Sequence, residues 1–119
     1  MVMNLFQLGD FSLHSGAKSN WKIDCDALTD ADWATLAWII QTRVKFGAVE
    51  GVPRGGLKLA AALLNYQTSG PLLIVDDVLT TGGSMEKQRA GREAIGYVVF
   101  ARGHCASWIR HIFDVGGEQ

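Results

Sequence analysis

The chain has 119 residues, 48% of them hydrophobic, which is enough for one compact core. A formal net charge of −1 gives no electrostatic case for binding nucleic acid or an anionic membrane, and no segment approaches a membrane span. Cys25 and Cys105 lack metal-ligand spacing; with no signal peptide in view, they read as reduced thiols of a cytoplasmic protein.

Residues 11–25 alternate weakly about Ser15 and Gly16, which predicts two short strands and a turn, with Asp24 and Asp26 on a solvated strand edge. Thr29, followed by Asp30 and Asp32, supplies an N-cap with acids in the first turn. Trp33, Leu36, Ala37, Ile40 and Val44 follow helical spacing, so a helix runs to about residue 45, with Trp33 and Trp38 in its packing. Residues 47–51 form a strand, and Val52, Pro53, Arg54, Gly55 and Gly56 the turn after it. A second helix, rich in alanine and leucine, covers residues 57–65, and residues 67–71 are a short loop.

Residues 72–75 form an apolar strand, which ends at Asp76 and Asp77. A third helix is expected over residues 84–94, with Glu86, Lys87, Arg89 and Arg92 on its polar face. Strands follow at residues 96–101 and 108–115. Strands alternating with helices predict an α/β fold with a mostly parallel sheet joined by right-handed crossovers. Ligands of such sheets bind at the carboxyl ends of the strands, where both glycine-containing loops fall.

The segment from Leu72 to Ser84 carries the most chemistry. Two adjacent carboxylates, Asp76 and Asp77, can accept hydrogen bonds from the vicinal hydroxyls of a ribose. Thr80, Thr81, Gly82, Gly83 and Ser84 then offer backbone N–H groups and three hydroxyls to a phosphate where a helix begins. This run resembles the phosphoribosyl-pyrophosphate (PRPP) signature of the type I phosphoribosyltransferases. The loop of Val52, Pro53, Arg54, Gly55 and Gly56 is similar to that family's pyrophosphate-binding loop, where a strained or cis peptide is common and is expected here just before Arg54.

Within the family, Phe11, Leu13, Ser15, Gly16 and Ser19, followed by Trp21, resemble the N-terminal hood of orotate phosphoribosyltransferases. The positions of His14 and Lys22 depart from that pattern, which usually has a lysine and a stacking aromatic there. Arg102, after the strand at residues 96–101, matches an arginine that binds the pyrimidine; Arg102 and Lys18 are therefore the implied base-binding residues. His104, beside Arg102, is a further candidate for the base pocket, His111 reads as structural, and Trp108 suits a subunit interface.

The resemblance implies a fold of three layers, with helices flanking the sheet. It implies one domain over residues 1–119, with a hood of about residues 1–28 and a core of residues 29–119. It implies transfer from PRPP to an orotate-like pyrimidine as part of pyrimidine biosynthesis. The Mg2+ is carried mainly by PRPP with no protein metal site, and the enzyme is a homodimer. One module is missing: residues 66–71 replace the strands and mobile basic loop that the family places before its PRPP signature. Two readings therefore stand. The acidic pair and the hood-like segment favour a transferase, and the absent basic loop favours a non-catalytic PRPP- or nucleotide-binding regulator. A P-loop nucleotide hydrolase is excluded, because no Gly-x-x-x-x-Gly-Lys-Ser/Thr run occurs.

Overall fold

The computed structural model describes residues 4–12, 16 and 18–116. Two strands, β1 (Phe6–Ser12) and β2 (Lys18–Ile23), form an antiparallel ribbon. A single 3-10 turn (Cys25–Ala27) leads to α1 (Asp30–Arg43). Then come β3 (Val49–Gly51), α2 (Leu57–Leu63) with a 3-10 extension (Leu64–Tyr66), β4 (Leu73–Leu79), α3 (Gly83–Arg89), β5 (Ile95–Ala101) and β6 (Ile109–Asp114). The last four strands make a parallel sheet in the order β3-β4-β5-β6, as the alternation predicted, with helices on both faces.

The start of α1 is fixed by a capping box. Asp32 N–H donates to Thr29 Oγ1 (3.1 Å), and Thr29 N–H donates to Asp32 Oδ2 (2.8 Å), which satisfies two of the helix's free donors. Trp33, Leu36, Ala37 and Ile40 are its buried stripe. Trp38 is not part of that stripe; it lies on the outer face and is 56% exposed. Asp24 and Asp26 also differ from expectation. Asp24 caps the 3-10 turn, its Oδ1 accepting from Asp26 N–H (3.1 Å), so neither lies on a strand.

The third helix is shorter than its sequence suggests. Ala90 (φ 52°) and Gly91 (φ 77°) are both left-handed, which stops α3 at Arg89. Arg92 thus lies beyond the helix, and its guanidinium forks onto Glu50 of β3 through two bonds of 2.8 Å.

Alternation along β4 separates two cores. Leu73 and Val75 join Ile40 of α1 and Leu59 and Leu63 of α2 on one face. Ile74 joins Met85 of α3, Val98 and Ile109 on the other. Strand order equals chain order, so both crossovers step in the same direction, yet α2 and α3 cover opposite faces. The two crossovers therefore have opposite hands and one is left-handed, against the uniformly right-handed expectation. The short connector between Tyr66 and Leu73 brings the chain back, lying along the entry to β3. Thr68 N–H donates to Phe46 O (2.9 Å), and Gly47 N–H donates to Pro71 O (2.9 Å).

Pairing across β4 is unequal, and this positions the site. On the β3 side the ladder ends at Gly51 opposite Val75, whereas on the β5 side it continues to Leu79 opposite Ala101. Asp76 and Asp77 thus lie inside a strand longer than the apolar run predicted, with one flank open where β3 turns away.

Candidate active site at the carboxyl end of the sheet

A cavity of about 770 Å³ opens at that flank. The acidic pair forms its floor. Asp76 is 8% exposed, and Asp76 Oδ1 accepts from Asp77 N–H (2.8 Å); Asp77 Oδ1 accepts from Val78 N–H (2.7 Å). Burial drives the Asp76 carboxyl well above the ordinary carboxylate range, and the neighbouring Asp77 adds to the rise. Cys25 lines the same wall. Burial, reinforced by Asp77 and other acids, pushes its thiol up, so it stays protonated and unreactive.

The loop of residues 52–56 closes one side. Val52 N–H donates to Val75 O (2.9 Å), which carries the β3 side past the end of the ladder, and Gly56 N–H then donates to Val52 O (2.8 Å) to tighten the turn. The Pro53–Arg54 peptide is cis, at the position expected from sequence. Two glycines are needed for closeness: a β-carbon on Gly56 would stand 2.7 Å from Val52 N, and one on Gly55 would stand 2.6 Å from Cγ of Asp77. Val52 is buried beneath the loop, whereas Pro53 and Arg54 are exposed at the cavity wall.

Thr80, Thr81, Gly82, Gly83 and Ser84 form the opposite wall. Gly82, left-handed at φ 89°, makes the turn into α3, and Met85 is buried below it. Arg102 N–H donates to Leu79 O (2.8 Å), which fixes the base of this wall to the end of β5.

The β1–β2 ribbon covers the third side as a hood. Arg102 is only 1% exposed. Its Nη2 donates to Ser19 Oγ (2.8 Å), its Nη1 donates to Trp21 O (3.3 Å), and its guanidinium lies 3.6 Å from the centre of the Trp21 ring. Arg102 both lines the cavity and holds the hood to the core. Lys18 is elsewhere, in a separate shallow cleft with Asp10, Phe11, Ser19 and Asn20. His14 lies outside the described residues. His104 is exposed and not part of the cavity wall. His111 is half-buried on β6, and Trp108 is held within its own chain by Glu86 (2.8 Å) and by Arg89 over its ring.

The cavity therefore gathers both loops, the acidic pair and Arg102, and leaves out Lys18. It also includes residues that sequence reasoning did not assign: Lys22, Lys58, Lys87 and Cys25. Lys58 stands in the first turn of α2, just past the glycine-containing loop, which is a positional signal; Lys22, Lys87 and Cys25 had none. Among the described residues no group of three or more His, Cys, Asp or Glu could cage a metal. No described helix is long and apolar enough to cross a membrane.

No family model and no curated protein matches the chain. Solved structures do. An orotate phosphoribosyltransferase from Aeropyrum pernix is 29% identical, with 83% of this chain and 76% of that one covered and a TM-score of 0.66. Orotate phosphoribosyltransferases from Francisella tularensis (24% identical, 87% and 69% covered, TM-score 0.55) and Mycobacterium tuberculosis H37Rv (18%, 82% and 77%, TM-score 0.58) share the fold. These likenesses relate the chain to the type I phosphoribosyltransferases and place its architecture among theirs.

Proposed function

We propose that the chain is a phosphoribosyltransferase that moves ribose 5-phosphate from PRPP to a ring nitrogen of a nucleobase, an orotate-like pyrimidine being favoured. The observation that carries this reading is the position of Asp76 and Asp77, on the unpaired flank of β4 between two glycine-containing loops. In this reading the pair hydrogen-bonds the ribose 2′- and 3′-hydroxyls, and the Asp77 carboxylate, joined by Asp76 once it gives up its proton, faces the positive charge that develops on the ring. Residues 80–84 take the 5′-phosphate, and Arg54 with Gly55 and Gly56 takes the diphosphate. The base nitrogen forms its bond to C1′ as the C1′–O bond breaks, and the electron pair leaves on pyrophosphate. The base's N–H proton passes to solvent or to the leaving group.

Mg2+ would be held mainly by PRPP's own oxygens, with Asp76 and Asp77 as the nearest protein carboxylates, and would offset charge on the departing diphosphate. A cytoplasmic homodimer belongs to the same reading. The two free cysteines, Cys25 and Cys105, support a reducing compartment.

The test is to combine the protein with PRPP, Mg2+ and a panel of bases including orotate, and to assay pyrophosphate release. Release with at least one base is expected. One observation favours a second reading, a PRPP-binding regulator: the connector between α2 and β4 contains no lysine or arginine to lie over the diphosphate. Tight PRPP binding by calorimetry without release for any base would establish that alternative.

A further inference from the structure

Arg102 is the obvious cation for reading a base, but two of its donors are already committed to Ser19 and Trp21, and its planar face rests on the Trp21 ring. Lys22 is placed differently. It reaches the same cavity from β2, half-buried along its stem, and its Nζ lies 5.0 Å from the centre of the Phe11 ring. No carboxylate lies within ion-pair distance of it among the described residues.

The strand geometry explains this pairing. The β1–β2 register shifts between Leu8 and Phe11, and the Phe11 ring folds back over Gly9, where a β-carbon would stand 3.1 Å from its Cζ. The fold-back gives the ammonium an aromatic face to rest on. An ammonium resting on a ring loses part of its water and has no ion pair to break when an anion arrives. Asp26 also reaches the cavity wall, but it is exposed and its charge is screened by solvent.

We propose that Lys22 selects the base, favouring a heterocycle that carries a negative charge on the edge turned toward the hood, with the Phe11 face beside it. This rests on the transferase reading above. A neutral ring would leave the ammonium partly desolvated without a counter-charge, so the preference works against neutral bases as well as for anionic ones.

The experiment is calorimetry on the full chain with PRPP, orotidine 5′-monophosphate and uridine 5′-monophosphate, two nucleotides that differ by one ring carboxylate. The unmodified protein should bind the carboxylated nucleotide at least tenfold more tightly. Lys22→Met should bring the ratio close to one, and Lys22→Arg should retain most of it. A ratio unchanged in Lys22→Met, or equal losses for both nucleotides, would overturn the proposal. Absence of PRPP binding by the unmodified protein would instead overturn the transferase reading. PRPP binding with no preference between the nucleotides would overturn the role of Lys22 alone.

Discussion

The carboxylate of Asp77 lies directly over the α-carbon of Gly55, with no room for a methyl group between them. The acidic pair on β4 and the loop after β3 are thus fitted to each other by contact. Gly55→Ala would place its β-carbon against a carboxylate anchored by Val78 N–H, so one of the two must move. The expected cost is about 1–3 kcal/mol of stability, read from the urea midpoint, with a larger loss in PRPP affinity than in stability. Unchanged values for both would mean that the loop and the acidic pair move independently.

Asp76 predicts a specific pH dependence. Its folded-state carboxyl is raised by burial and by Asp77, so the fold binds that proton more tightly than the unfolded chain does. The resulting stability is complete below about pH 4, the ordinary carboxylate value, and is lost as pH rises through the raised value. Asp76→Asn should flatten the decline in urea midpoint from about pH 5 upward and be the more stable protein at the alkaline end. A variant whose profile runs parallel to the unmodified protein would show that the proton is not held on Asp76.

Arg102 ties the hood to the sheet through its bonds to Ser19 and Trp21 and its stacking on the Trp21 ring. Arg102→Ala should cost about 3 kcal/mol. More diagnostically, hydrogen exchange should quicken across β1 and β2 while the amides of β4 and β5 remain protected. Uniform loss of protection would show that hood and core open as one unit.

Ala90 holds a left-handed conformation at φ 52°, where a side chain is crowded by the backbone. Ala90→Gly should raise stability by about 1 kcal/mol without affecting ligand binding, since Ala90 does not line the cavity. A lower melting temperature would mean that Ala90's methyl group contributes packing that outweighs this relief.

The chemistry was more legible in the sequence than the geometry. Asp76, Asp77 and both loops stand out by residue type and order, and the structure brings them to one cavity. The length of β4 was hidden, because charged residues end an apolar run but do not end a strand that still has β5 to pair with. The end of α3 was hidden because alanine, the best helix former, occupies the left-handed position that usually marks itself with glycine. Trp38 follows Trp33 by five residues, about 140° around the helix, so the spacing itself should have assigned it outward. The hand of the crossovers depends on which face each helix covers, and no local pattern records that. The role of Arg102 as a hood anchor needed the distance to Ser19 and Trp21.

The bond from Arg102 to Ser19 joins residues 83 positions apart, whereas each strand of the parallel sheet pairs with one made just before it. The sheet can therefore grow in the order in which the chain is synthesised, each step closing a short loop. The hood is made first and anchored late, because its guanidinium lies one residue beyond β5. Until that strand is in place the ribbon lacks both the Arg102 bonds and the contact of Phe6 with Phe100, and keeps only the packing of Leu5 and Ile23 against the core. Truncations that stop before residue 102 should consequently be aggregation-prone even though the acidic pair and both glycine-containing loops are already encoded.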